Sequence, residues 1–171
     1  MEFFELIEKR RSVRSYLSKD VEDEKLEKIL KAANSAPSAG NLQAYRIYIT
    51  KDREKKKKLA IAAFGQKFIA EAPVVLVFCA NPEESGIYYG ERGRRLYSLQ
   101  DATIAATFAM LACYELGLAT CWVGAFDEDS VRRVMGIPKN LVPIAILPIG
   151  YPKEKPEKTG RKRLSEIVKF V

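Results

Sequence analysis

An α+β fold is what the sequence predicts. Helical stretches outnumber the strands, the strands are scattered with no repeating strand-helix-strand unit, and one apolar run at 73–80 reads as a strand buried on both faces. The 171 residues, 47% hydrophobic and 30% charged, fit one globular domain over 1–171, with no internal repeat or low-complexity linker to divide it.

Phe3, Phe4 and Ile7 recur at helical spacing, and Arg10-Arg11-Ser12-Val13-Arg14 follows as an extended exit from that first helix. Leu26, Ile29, Leu30 and Ala33 form an i, i+3, i+4, i+7 stripe behind Glu22-Asp23-Glu24, acids that suit a helix N-terminus. Pro37 and Gly40 stop this second helix and leave a small-residue turn, after which Tyr45, Ile47 and Ile49 alternate with polar neighbours as in a strand. Lys55 to Lys58 read as the wet side of a helix capped by Asp52. The run Pro73 to Ala80 is predicted to be a central strand. Gly86, Gly90 and Gly93, with Tyr88 and Tyr89 between them, do not have the spacing of a phosphate loop and read first as a mobile loop, second as a lid over a substrate.

The longest predicted helix runs from about Leu96 to Leu118 and carries no charge between Ile104 and Tyr114, so it must be buried all round. A symmetric homodimer would bury it so; a position central to the monomer is the alternative. Ala119 to Val123 then reads as a strand ending at Gly124, Asp127 to Met135 as a short capped helix, and Val142 to Ile149 as a strand whose Pro143 and Pro148 suit an edge.

Net charge is +7, but Lys51 to Lys58 and Pro152 to Val171 each carry +4, which leaves the rest of the chain near neutral. The lysine run has no aromatics between its charges, unlike a nucleic-acid-binding face, so no nucleic-acid partner is expected. No apolar run reaches the 18 residues or more of a membrane span, and the acidic start Met1 to Glu5 is unlike a signal peptide, so no membrane partner and a cytoplasmic location are expected. Cys79, Cys113 and Cys121 are odd in number and lack metal-ligand spacing, which argues against both a disulfide framework and a zinc site. Histidine is absent, which excludes a Ser-His-Asp triad, a Cys-His dyad and any His-ligated metal. No metal site is expected, and a bound cofactor rather than a side chain would carry any catalysis.

Two basic groups stand out against that background. Arg10, Arg11 and Arg14 lie beside Ser12, and Arg161, Lys162 and Arg163 lie near the other end of the chain. Guanidinium forks match phosphate oxygens two at a time, and several together repel one another unless an anion lies between them. A phosphate held by both termini is one reading; two solvated patches are the other.

Taken with Ala36 to Gln43, Gln100-Asp101-Ala102, Gly117 to Gly124 and Gly150-Tyr151-Pro152, the arginine segments resemble those of the flavin-dependent nitroreductase family in order and spacing. The resemblance implies a nitroreductase-like fold, a mainly antiparallel central sheet flanked by helices in an intertwined homodimer with FMN at its interface. It implies that Arg10, Ser12, Arg161 and Arg163 meet the FMN phosphate, that Arg11 is among the cofactor-binding residues, that Arg14 faces the pyrimidine edge of the flavin, that Asn41 meets the same polar edge or the ribityl chain, and that Pro37, Ser38 and Ala39 approach the ring from the partner subunit. Val123, Gly124 and Ala125 match the strand end whose backbone amide faces flavin N5. No catalytic side chain is implied: NADH or NADPH would reduce the flavin at N5, and a small aromatic acceptor such as a nitroaromatic or quinone would reoxidise it in the same place. The other function compatible with these residues is flavin storage or redox sensing without turnover. Ala44-Tyr45 departs from the family, where Pro-Trp is frequent.

Overall fold

A computed structural model describes residues 2–171 of the chain; Met1, part of the acidic start, lies outside them. Eight α-helices among the described residues flank a four-stranded antiparallel sheet ordered β1-β2-β4-β3. The strands are β1 (Tyr45–Thr50), β2 (Val74–Ala80), β3 (Ala119–Thr120) and β4 (Val142–Gly150). The helices are α1 (Phe3–Lys9), α2 (Asp23–Asn34), α3 (Arg53–Ala62), α4 (Phe68–Glu71), α5 (Pro82–Arg92), α6 (Ser98–Glu115), α7 (Glu128–Met135) and α8 (Leu164–Ile167).

Every residue of β2 is buried, as its unbroken apolar run requires. Side chains alternate across a strand, so Val74, Leu76, Phe78 and Ala80 enter one core with α2 and α6, while Val75, Val77 and Cys79 enter a second with α3, α4 and α7. β1 shows the expected alternation only in part, because it is an edge strand whose Ile49 stays 40% exposed.

Two glycine- and proline-based expectations fail, for local reasons. The stretch around Gly86 to Gly93 is helix α5 rather than a loop. Asn81 caps it by accepting from the Glu84 amide at 3.3 Å, Pro82 occupies its first turn, and Glu83 and Glu84 favour its N-terminus. Its glycines allow close packing: a Cβ on Gly93 would lie 2.5 Å from the Ser85 carbonyl, and Gly90 at φ 58° kinks the chain into a π-helical turn, Gly93–Tyr97. Nor is β4 an edge strand, since it lies between β2 and β3. Pro143 is tolerated beside a β-bulge, where the register against β2 slips at Phe78/Cys79. Extending the β3 register opposes Cys121 to Pro148, which has no N–H to give; the ladder breaks there after Thr120 and resumes as a single Val123–Ile146 bridge. The predicted strand Ala119 to Val123 is therefore only two residues long.

Burial all round α6 is likewise not met within one chain. Ala102, Ala105, Ala106, Ala109 and Cys113 are fully buried, small enough for the helix to lie close on the sheet, but Thr103 and Thr107 are exposed, and Ile104, Phe108 and Leu111 are half-buried. α1 packs beside it with only Leu6 buried, leaving Phe4 82% exposed, and the tail leaves Phe170 98% exposed. As one continuous helical stretch, Pro82–Glu115 is long and apolar enough by composition to cross a membrane. Glu91, Arg92, Arg94, Arg95 and the buried Asp101 interrupt it, and its apolar residues pack on the sheet as a core helix.

The lysine run of α3 is wet on all but one side. Asp52 caps the helix, accepting from the Lys55 amide at 2.7 Å, but Lys56 is only 8% exposed, and its ammonium donates to the carbonyls of Ala72 at 2.7 Å and Pro73 at 3.4 Å. Burial lowers its pKa, so these carbonyls offset a desolvation cost while closing the end of α4. Lys56→Met keeps the stem and strands the carbonyls, and should destabilise by about 1–3 kcal/mol. Lys55→Met on the exposed side should change stability by less than about 0.5 kcal/mol. Urea unfolding midpoints compare the two, and equal midpoints would contradict this role for Lys56.

Candidate functional site

The segment after α1 is fastened to the sheet by its backbone. Ser12 bridges Thr120 in parallel, the Val13 amide donates to the Thr120 carbonyl at 3.2 Å, and the Arg14 amide donates to the Glu154 carboxylate at 2.6 Å. Tyr16, buried so that its phenol pKa is pushed up, donates to the Val13 carbonyl at 2.7 Å. The Leu17 amide donates to the Tyr151 carbonyl and that of Lys153 to the Ser15 carbonyl, so the tail leaves the sheet alongside this segment. Lys158 then reaches back to Glu8 of α1 at 2.8 Å, which lowers the Glu8 pKa.

Between these two strips lies a cleft of about 450 Å³, lined on one side by Arg10, Arg11, Ser12 and Arg14 and on the other by Lys158, Thr159 and Arg161. The residues from the two ends of the chain thus meet in one place. Arg11 donates to the carbonyls of Glu8 at 2.6 Å and Arg10 at 2.9 Å, and Arg161 to the Thr159 hydroxyl at 2.9 Å. Among the described residues no carboxylate pairs with the guanidinium of Arg10, Arg11, Arg14 or Arg161. Nη1 of Arg10 is buried with no partner, and burial together with Arg161 and Arg11 lowers the Arg10 pKa. Cations gathered in this way, one with an orphaned donor, suit a phosphate and fit the phosphate end of FMN. A second depression of about 490 Å³ between α3 and α7 contains no buried orphaned polar atom.

The remaining predicted positions lie outside this cleft. Arg163 caps α8, its side chain 3.3 Å from Glu166. Pro37, Ser38, Ala39 and Asn41 form a separate turn after α2; the Ala39 amide donates to Asp101 at 3.0 Å, and Ser38 Oγ accepts from the Gln43 amide at 3.0 Å. The Val123 amide donates to the Ile146 carbonyl at 3.0 Å, whereas the exposed Gly124 amide has no partner among the described residues. Lys158, Thr159 and Glu8 line the cleft without having been singled out in the sequence; the +4 charge of the tail was the available signal for Lys158.

No thiol chemistry is available beside the cleft. Burial raises the Cys121 pKa against the opposing pull of Arg14 and Ser12, raises that of Cys79 to about 12, and raises that of Cys113 further. All three thiols are buried. The described residues contain no group of His, Cys, Asp and Glu able to hold a metal.

The chain matches the model of the nitroreductase family over residues 7–68 and 60–151. It is 36% identical over 159 residues to a provisionally named NADH dehydrogenase/NAD(P)H nitroreductase of Archaeoglobus fulgidus, covering 90% of this chain and 87% of that protein. It is 35% identical over 164 residues to an FMN reductase [NAD(P)H] of Bacillus subtilis, covering 88% and 66%. The solved structure of B. megaterium NfrA2 superposes with a TM-score of 0.91 at 30% identity, over 97% of this chain and 72% of that one.

An aromatic disulfide reagent at pH 8 should titrate none of the three thiols in the folded protein and all three after denaturation. A stoichiometric reaction of the folded protein would contradict their burial.

Proposed function

The chain belongs to the nitroreductase family, and from that membership and the cationic cleft we propose that it is an FMN-dependent NAD(P)H oxidoreductase that reduces small aromatic acceptors such as nitroaromatics or quinones. One observation carries this reading: the buried, orphaned Nη1 of Arg10 stands in a cleft whose guanidiniums are ion-paired to no carboxylate among the described residues. When bound, FMN supplies the hydride-accepting and hydride-donating chemistry that no protein side chain provides. Arg10, Arg11, Ser12 and Arg161 hold its phosphate by charge-assisted hydrogen bonds, with Arg163 beside them once its weak, exposed contact with Glu166 is exchanged for the anion. Arg14, exposed at the cleft edge, sets a positive charge at the pyrimidine side of the ring, where negative charge builds on reduction.

Residues 1–171 act as one unit of a homodimer in this reading. The uncovered face of α6, the exposed phenylalanines of α1 and the exposed apolar tail support it, since a second copy would cover them. Pro37, Ser38, Ala39 and Asn41 then come to the flavin from the partner subunit, and the unpartnered Gly124 amide offers a neutral donor to the ring. The proposed setting is the cytoplasm, with neither a membrane nor a nucleic acid as partner.

Anaerobic mixing of the FMN-loaded protein with NADH or NADPH tests turnover. The yellow absorbance should bleach within seconds with at least one of them and return on addition of a quinone. Failure of both to bleach a protein that retains its flavin would contradict the proposal and leave a flavin store.

A further inference from the structure

Asp101 lies in the first turn of α6, 2% exposed, with no cation paired to it among the described residues. Its Oδ1 accepts from the Ala39 amide at 3.0 Å across 62 residues of chain, while Oδ2 is buried without a partner. A half-satisfied buried carboxylate is a costly way to fill space, and an apolar residue would pack there without that cost.

The turn it holds explains the cost. Gly40, Asn41 and Gln43 all have positive φ, 58°, 56° and 45°, a region that side-chain-bearing residues rarely occupy. From within the turn, Ser38 Oγ accepts from the Gln43 amide at 3.0 Å, and the Gln43 side-chain amide donates to Asn41 Oδ1 at 2.8 Å. From outside, Tyr89 of α5 closes over it so tightly that a Cβ on Gly40 would lie 2.4 Å from its hydroxyl. Asp101 is the only charged group bonded to this turn among the described residues, and it grips the backbone rather than a side chain. Two features without a packing rationale, an orphaned carboxylate oxygen and a strained turn, are therefore joined by one hydrogen bond.

We propose that Asp101 is a positioning residue for the flavin: through the Ala39 amide it fixes the turn in the strained form that presents Ser38 and Asn41 to the cofactor. It touches neither cofactor nor substrate in this role. The inference rests on the FMN reading above. Asparagine at this position still offers an oxygen to the Ala39 amide, whereas alanine offers none.

Flavin fluorescence quenching gives the FMN dissociation constant for wild type, Asp101→Asn and Asp101→Ala, and amide hydrogen exchange on the cofactor-free proteins reads the tether directly. Asp101→Ala should weaken FMN binding by about tenfold or more and speed exchange of the Ala39 amide with β2 still protected, while Asp101→Asn should stay within about threefold of wild type in both. Wild-type affinity in a folded Asp101→Ala protein would overturn the inference. Should Asp101→Ala fail to fold, Ser38→Ala loosens the same turn from within, and faster exchange there with unchanged FMN affinity would overturn it equally. A wild-type protein that binds no FMN would defeat the functional reading itself, whereas tight wild-type binding with an indifferent Asp101→Ala would defeat only this inference.

Discussion

A cluster of guanidiniums ion-paired to no carboxylate among the described residues, on a segment held in place by backbone hydrogen bonds, is the constraint on which the rest of this structure depends. Arg10, Arg11 and Arg161 come together against their mutual repulsion because the segment through Tyr16 is bonded to β3 and to the emerging tail. Side-chain mobility alone would let such charges spread into water. Here the backbone of the segment is fastened, and burial together with Arg161 and Arg11 lowers the Arg10 pKa. An anion would relieve both, and the proposed phosphate reading of the cleft rests on that.

The sheet links this cradle to the rest of the molecule. β4 lies beside β3, and its Pro148 cuts the β3 ladder short at the residues next to the cleft, freeing Cys121 and Trp122 from strand pairing before Val123 returns to β4 through its bridge to Ile146, with Gly124 just beyond it. On one side of β2 the alanines of α6 bring that helix close to the sheet, and the same helix carries Asp101 to the turn after α2. Its other face is only partly covered by the described residues, and Phe3 and Phe4 stay exposed. Cationic cleft, strained turn and apolar face thus depend on neighbouring elements packed around one antiparallel sheet.

Much of this was legible in the amino-acid order. The i, i+3, i+4, i+7 stripe of α2, the Asp52 and Asp127 caps and the unbroken apolar run of β2 each express one local rule, and each has its expected form. The meeting of Arg10 with Arg161 was legible because chemistry, not locality, demands a partner for clustered guanidiniums. The failures share a cause: a residue was read by its average preference while a neighbour decided its role. Gly86 and Gly93 suggested a loop, but they permit close helix packing under the Asn81-Pro82 start signal. Pro143 and Pro148 suggested an edge, but a bulge and a truncated neighbour accommodate them in the interior. Lys56 suggested solvent, but two carbonyls at the end of α4 take its ammonium. Such partners are distant in sequence, and no local pattern announces them.

The central claim is that this protein recognises its flavin chiefly by the phosphate. Comparing the dissociation constants of FMN and riboflavin, which differ only in that group, tests it most directly. The account predicts that FMN binds about 30-fold tighter or more, with the advantage shrinking as salt is raised. Equal affinity for the two flavins would contradict it.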